Sequence, residues 1–224
     1  MNEIKDFSLY AKDRGISSLN LHRYNKGLES SLTPYILEER QMNVAQMDVF
    51  SRLMMERIIW VAGVVNDYMS TIVQAQLMFL DSVDSNDITM HIDSPGGSVK
   101  SGLSMVDVMD YIHSDIRTIN TGMAASMGSI LLGAGTKGKR SSLRFSKTML
   151  HQSSGGFEGN IQDATISMAE WNKTNDLLFE LLGGYCGKTA EQVKQDAQRD
   201  FWLSAQEAVN YGIIDEVVVK KSLL

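Results

Sequence analysis

Ile88-Thr89-Met90-His91-Ile92-Asp93-Ser94-Pro95-Gly96-Gly97 contains a strand and the turn that ends it. Ile88, Met90 and Ile92 alternate with Thr89, His91 and Asp93, the period-two pattern of a β-strand. Ser94-Pro95-Gly96-Gly97 turns the chain. Val99, Gly102, Met105, Val106, Met109 and Ile112 then recur at the spacing of one helix face.

The same unit repeats on either side. Ile58–Val65 is short, continuous and rich in β-branched residues, which predicts a strand buried on both faces. Asn66-Asp67 can cap a following helix that carries Met69, Ile72, Val73, Leu77 and Leu80. Downstream, the pattern predicts a strand over Arg117–Gly122, a small-residue helix over Ala124–Ala134 and a further strand near Thr148–Gln152. Ile161–Tyr185 reads as a long helix with an apolar cluster at Leu177, Leu178, Phe179, Leu181 and Leu182. Thr189…Gln192 and Ser204…Glu207 are capping-box signatures for two short helices, and Val217-Val218-Val219 reads as a closing strand. Such alternation implies an α/β fold with parallel strands and right-handed crossovers. In these sheets reactive groups belong at the carboxyl ends of strands. Both glycine turns, at Gly96-Gly97 and at Gly122–Gly128, fall there.

With 224 residues, 43% hydrophobic and 21% charged, the chain is large enough for one sizeable core. A formal charge of -6 argues against a nucleic-acid surface, which needs a basic stripe. Cys186 is the only cysteine, so no internal disulfide forms and a reducing compartment fits. Met1–Asp6 leads into no apolar segment of a secretory signal, and Ile58–Val65 is far too short to span a bilayer. The expectation is a cytoplasmic protein without a membrane partner. Residues 1–31 are polar and aperiodic and read as a leader; Pro34 marks the change, and the pattern becomes regular from Val49.

Ser126 lies in Gly122-Met123-Ala124-Ala125-Ser126-Met127-Gly128, where a strand hands over to a helix and no neighbour is large enough to block an approaching carbonyl. A helix N-terminus adds a positive partial charge there. A serine hydroxyl also needs a base and oxyanion donors to act as a nucleophile; without them the same residues serve only close helix packing. Of four histidines, His22 lies in the leader, His91 lies mid-strand, and His113 ends a helix and is expected to face solvent. His151 ends the apolar Thr148-Met149-Leu150 and is the candidate base. No Asp or Glu stands between Ser126 and His151, so the order Ser–acid–His is excluded if His151 is the base. The orienting acid then comes earlier in the chain, or after His151 from among Asp163, Asp176, Asp196, Asp200 and Asp215, and spacing alone does not choose. Gly96-Gly97 is the natural source of backbone oxyanion donors, and a tight turn alone would also explain it.

Other features carry less. Gly133–Lys139 approaches a Walker A motif, but Arg140 occupies the Ser/Thr position and the segment follows a helix. Asp81, Asp84 and Asp87 lack EF-hand spacing and read as a solvated turn. No His/Cys cluster suggests zinc, so no metal is expected.

Taken together, these residues resemble the ClpP peptidases, the proteolytic subunits of ATP-dependent Clp proteases, over roughly residues 32–220. The resemblance is carried by Phe50-Ser51-Arg52-Leu53, Glu56-Arg57-Ile58-Ile59, Ile92–Gly97, Gly122–Gly128, Lys137–Arg140, His151-Gln152, Arg199-Asp200, Leu203-Ser204-Ala205 and Glu207–Asp215. It implies a ClpP/crotonase-like fold of repeated β-β-α units, with residues 32–224 as one peptidase domain. A protruding handle helix (region about 152–186), with a strand at Gly155-Gly156 before it, would make a ring–ring contact. It implies Ser126 as nucleophile, His151 as general base, Asp200 as orienting acid, and the N–H groups of Gly97 and Met127 as the oxyanion hole. It further implies heptameric rings stacked as a tetradecamer, with Arg199 coupling stacking to the triad. Unfolded polypeptides would be delivered by an AAA+ unfoldase such as ClpX, ClpA or ClpC. ATP would bind that partner, and this chain would need no cofactor of its own. The leader aligns with a propeptide removed near residues 30–32.

The sequence departs from the family pattern at Ser153-Ser154, where proline often follows the His-Gln pair. It departs again at Thr89 and His91, where relatives often carry aromatics for docking the ATPase; Tyr111 retains one. Two other readings compete. A crotonase-type acyl-CoA enzyme shares the fold and oxyanion hole but uses no Ser–His–Asp triad. A silent ring subunit usually lacks a triad residue, and this chain has all three.

Overall fold

A computed structural model describes residues 35–40, 43–156 and 160–219. The leader and its expected cut near 30–32 lie outside them. The chain divides into two units between Arg52 and Leu53. In the first, β1 (Tyr35–Arg40) pairs antiparallel with β2 (Asn43–Asp48), register Tyr35↔Asp48 to Arg40↔Asn43. Helix α1 (Val49–Met55) follows, its first turn tied back where the Ser51 hydroxyl and N–H donate to the Asp48 carboxylate.

The second unit is a mostly parallel sheet with helices. Its strands are β3 (Ile58–Ala62), β4 (Ile88–Ser94), β5 (Ile116–Ala125), β6 (Arg140–Leu143), β7 (Lys147–Leu150), β8 (Phe201–Ser204) and β9 (Glu216–Val218). Its helices are α2 (Asp67–Val83), α3 (Val99–Tyr111), α4 (Met127–Gly133), α5 (Ile161–Cys186), α6 (Ala190–Asp196) and α7 (Ala205–Tyr211). The strands run β3-β4-β5-β6-β9, all parallel; β7 adds parallel to the far end of β5, and β8 pairs antiparallel with β7. Leu77, Ile88, Met90, Ile92, Leu131 and Leu150 are wholly buried. Each such side chain contributes about 1.5–3 kcal/mol by leaving water.

Caps follow the sequence signals. The Asn66 side chain accepts the Met69 N–H, Thr189 accepts that of Gln192, and Ser204 with Glu207 completes a reciprocal capping box. Gly187 closes α5 in the left-handed conformation, φ 66°. The Asp81–Asp87 stretch is exposed from Ser82 to Asn86, as expected, and is held by its neighbours. The Arg57 guanidinium donates to the Leu80 and Asn86 carbonyls at 2.8 and 2.7 Å and pairs with Asp84 at 3.1 Å. Asp87 pairs with Lys139 at 2.7 Å, and Asp81 accepts from Ser114 at 2.8 Å.

Several expected boundaries are corrected. The first strand of the sheet stops at Ala62, because Gly63 takes φ +86°; Val65 returns only as a single bridge to Gly97. That strand is buried on one face, not two: Ile59 and Val61 are buried, whereas Trp60 is exposed and stacks on His91 at 4.7 Å between ring centroids. The third expected strand runs on to Ala125, since Met123–Ala125 pair with β7, and the small-residue helix therefore starts only at Met127. Residues 151–156 form no strand, because no neighbouring strand among the described residues offers them a ladder. Strands β6 and β8 complete the sheet beyond those the pattern marked.

Candidate active site

The site is built where β4, β5 and β7 end. Facing β4, strand β5 changes register: Ile92 pairs with Asn120, but Ser94 pairs with Ala124. The extra residues bulge, and the Asp93 carboxylate accepts the Met123 N–H at 2.9 Å. Beyond this bulge β5 leaves β6 and pairs with β7. Ser126 is thereby delivered to the end of β7, where its N–H donates to the Met149 carbonyl at 2.9 Å.

Ser126 has φ 54° and ψ -122°, one of two non-glycine residues at positive φ among those described. Such a conformation costs on the order of 1–3 kcal/mol and persists where surrounding structure enforces it. Here the enforcement comes from the bond to Met149 on one side and the start of α4 on the other. The first N–H groups of a helix have no partner within it, and Met127 is the first residue of α4.

The Pro95-Gly96-Gly97 turn lies against this corner. Buried Ser94 donates its hydroxyl to the Gly63 carbonyl at 2.6 Å and accepts the Gly96 N–H at 3.1 Å. At Gly96, φ is +92° and a Cβ would sit 2.7 Å from Ser126 Cβ and 2.9 Å from the Met127 nitrogen. The backbone thus approaches the serine as closely as glycine alone permits. The bridge to Val65 uses the Gly96 carbonyl and the Ser98 N–H, and the Gly97 N–H takes no part in it.

The antiparallel register of β7 and β8 brings His151 and Asp200 together. Leu150 pairs with Phe201, and the next position outward sets His151 Nδ1 3.2 Å from Asp200 Oδ1. The Asp200 side chain is 62% exposed and that of His151 24%. Arg199 is exposed beside it. The carboxylates of Asp163, Asp176, Asp196 and Asp215, the other candidate acids after His151, are engaged elsewhere: with Asn160, Lys194, Tyr211 and Arg140 respectively. His113 faces solvent near Asp81, and His91 packs under Trp60 with its Nδ1 buried and without a hydrogen-bond partner. His22 lies outside the described residues.

Ser126, His151, Gly97 and Met127 all line one cavity of about 250 Å³. Its floor is apolar: Ile130, Leu178, Phe179 and Leu182. Ser153 and Asn175 stand at its wall. Leu178, Phe179 and Leu182 were legible as an apolar cluster at helical spacing. Asn175, at i−3 from Leu178 on the same face, was not singled out, although that spacing is the signal that places it there. Among the described residues no group of three or more His, Cys, Asp or Glu side chains could hold a metal ion. No helix of the described residues is long and apolar enough to cross a membrane.

A strained serine between strand and helix and a histidine–carboxylate pair at the same sheet end are features expected of the serine peptidase class. Residues 40–221 match the family model for Clp protease. The chain is 50% identical over 218 residues to an ATP-dependent Clp protease proteolytic subunit of Bacteroides fragilis, covering 96% of this chain and 99% of that one. It is 46% identical over 221 residues to the protein of the same description from Porphyromonas gingivalis, covering 98% and 99%. With that of Bacteroides thetaiotaomicron the identity is 49% over 218 residues, covering 96% and 99%. The chain belongs to the Clp protease family, and it is a Clp peptidase.

Proposed function

We propose that Ser126, His151 and Asp200 act as nucleophile, general base and orienting acid of a serine endopeptidase that cuts unfolded polypeptides into short peptides. The observation that carries this reading is the 3.2 Å contact of His151 Nδ1 with Asp200 Oδ1 at the mouth of the cavity that Ser126 lines. Asp200 holds the imidazole with its Nδ1 protonated, leaving Nε2 to take the Ser126 proton. The serine oxygen attacks the peptide carbonyl, and the N–H groups of Gly97 and Met127 donate to the oxyanion. His151 returns the proton to the leaving amine; water then releases the acyl group by the same steps reversed. The floor of Ile130, Leu178, Phe179 and Leu182 favours an apolar side chain beside the cut bond.

The relatives' description as subunits of an ATP-dependent protease supports the wider setting. This chain forms heptameric rings that stack as a tetradecamer, with α5 at the ring–ring contact and Arg199 coupling stacking to Asp200. An AAA+ unfoldase such as ClpX, ClpA or ClpC supplies substrate and binds the ATP; the peptidase itself uses no metal or cofactor. The assembly works in the cytoplasm, after removal of the leader near residues 30–32. Tyr111, 77% exposed, is a docking aromatic for the unfoldase.

Ser126→Ala should lower kcat on a fluorogenic peptide by about 10⁴–10⁶ and abolish labelling by a fluorophosphonate. Retention of most activity by Ser126→Ala would refute the assignment. Intact masses of the two proteins report the leader: the wild type is expected shorter and Ser126→Ala full length.

A further inference from the structure

We propose that Asn175, Ser153 and Trp171 form a hydrogen-bonded clasp by which helix α5 positions His151. The proposal rests on His151 being the base of Ser126. It starts from a gap in the support of that base. β7 ends at Leu150, and residues 151–156 belong to no ladder. Asp200 holds the ring from one side, but its own side chain is 62% exposed. A strand end and one solvated carboxylate leave the backbone that carries the imidazole free to pivot.

The missing constraint lies two residues on. The Ser153 N–H donates to Asn175 Oδ1 at 3.1 Å, and its hydroxyl donates to the same oxygen at 2.9 Å. Trp171 Nε1–H donates to Ser153 Oγ at 2.5 Å. Trp171 and Asn175 stand four apart on α5 and so share one helix face. Gly155 closes over the same indole, where a Cβ would collide with the ring. The segment leaving His151 is thus fixed to α5 at two points, by three hydrogen bonds and by packing on Trp171.

The chemistry depends on Ser153. A proline at that position would have neither the N–H nor the hydroxyl, and Asn175 Oδ1 would receive nothing from it. With serine, the path of the chain beyond the base is set by α5. Asn175 also continues the face that carries Leu178, Phe179 and Leu182 into the cavity floor. One helix face therefore both receives substrate and holds the base in place. Asn175, Ser153 and Trp171 are positioning residues: they act through His151.

The test separates positioning from a mere contribution to the cavity wall. A small fluorophosphonate reacts with Ser126 without filling the cavity, so its rate reads the Ser126–His151 geometry, whereas the KM of a peptide reads the wall. Displacement of a catalytic group by about 1 Å costs on the order of 10²-fold. Asn175→Ala is accordingly expected to slow labelling at least tenfold and to lower peptide kcat by a similar factor, with KM changed less than threefold. Asn175→Asp, which keeps an oxygen to accept both Ser153 donors, should recover most of the labelling rate lost in Asn175→Ala. Ser153→Ala also loses two of the three bonds but keeps the backbone N–H bond that ties the chain to Asn175, and should fall between. Ring assembly, measured by native mass spectrometry, should be the same in all. Wild-type labelling rates in both Asn175→Ala and Ser153→Ala would overturn the clasp, as would equal loss in Asn175→Ala and Asn175→Asp. A wild-type protein that fails to label, or a Ser126→Ala protein that still labels, would instead overturn the reading of Ser126 on which the clasp rests.

Discussion

Gly96 has three backbone or Cβ atoms of the Ala125–Met127 turn within 3 Å of where a side chain would begin: the Ala125 carbonyl at 2.7 Å, Ser126 Cβ at 2.7 Å and the Met127 nitrogen at 2.9 Å. Its φ of +92° adds strain for any L-residue. None of these neighbours is the flexible end of a side chain, so a methyl group there must move the turn itself. Gly96→Ala is expected to destabilise the fold by about 2 kcal/mol or more. Because the atoms displaced include Ser126 and the Met127 N–H, the proposed nucleophile and oxyanion donor, kcat should fall at least ~10²-fold. Urea unfolding and peptide hydrolysis, measured on the same preparation, check both halves. An active Gly96→Ala enzyme would mean that the turn has slack the close contacts deny.

At the scale of elements, the bulge in β5 decides where the serine arrives. It inserts residues opposite Asp93 and lets one strand serve two partners, β6 along Thr118–Asn120 and β7 along Met123–Ala125. The Asp93 carboxylate pins it through the Met123 N–H at 2.9 Å. A hydrogen bond to a charged group is worth about 1.5–3 kcal/mol, so Asp93→Ala should loosen the bulge and lower kcat roughly tenfold. Asp93→Asn keeps an acceptor oxygen and should remain near wild type; steady-state kinetics on a peptide decide between them. This bulge also marks the limit of what the sequence discloses. The strand–turn–helix units were legible from Ile88, Met90 and Ile92 alternating and from the caps at Asn66 and Ser204, because those signals are local. Gly122–Ala125 carries no such signal: small residues suit a helix as well as a strand, and only pairing with β7 assigns them to the sheet. Spacing alone left Asp200 among several acids, and only the family resemblance singled it out; the register of β7 and β8 sets it opposite His151, and register is a property of two distant segments. Phe201-Trp202-Leu203 is too short a run to mark a strand by itself, and becomes β8 only by pairing with β7. The clasp at Ser153 was illegible for the same reason, since its partner oxygen lies 22 residues away on a helix.

Across the whole molecule, Arg140 ties the last segments to the sheet. Its side chain is 4% exposed and donates to the Tyr185 carbonyl at 2.9 Å, to the Gly212 carbonyl at 3.1 Å and to both Asp215 oxygens, at 2.6 and 3.0 Å. Removing one partner of a buried pair leaves an uncompensated charge, which costs about 3–5 kcal/mol. Asp215→Ala should therefore lower the urea midpoint sharply. Burial pushes the Asp215 carboxyl up, but the bonds from Arg140 and the Gly138 N–H outweigh it and hold it below the ordinary carboxylate range. A lowered folded value means that the carboxylate's contribution is present above the unfolded value of about 3.9 and is lost as pH falls through the folded one. Stability of the wild type should decline over that acid window more steeply than that of Asp215→Ala. The register that joins β7 to β8 has a further consequence, in time rather than space. His151 and Asp200 are 49 residues apart in the chain. A growing chain leaves the ribosome N-terminus first, at about 5–20 residues per second, so roughly 2–10 s separate the two. On the proposed triad, serine and histidine exist during that interval without the acid, and a nascent subunit is chemically blunt while its siblings are still being made.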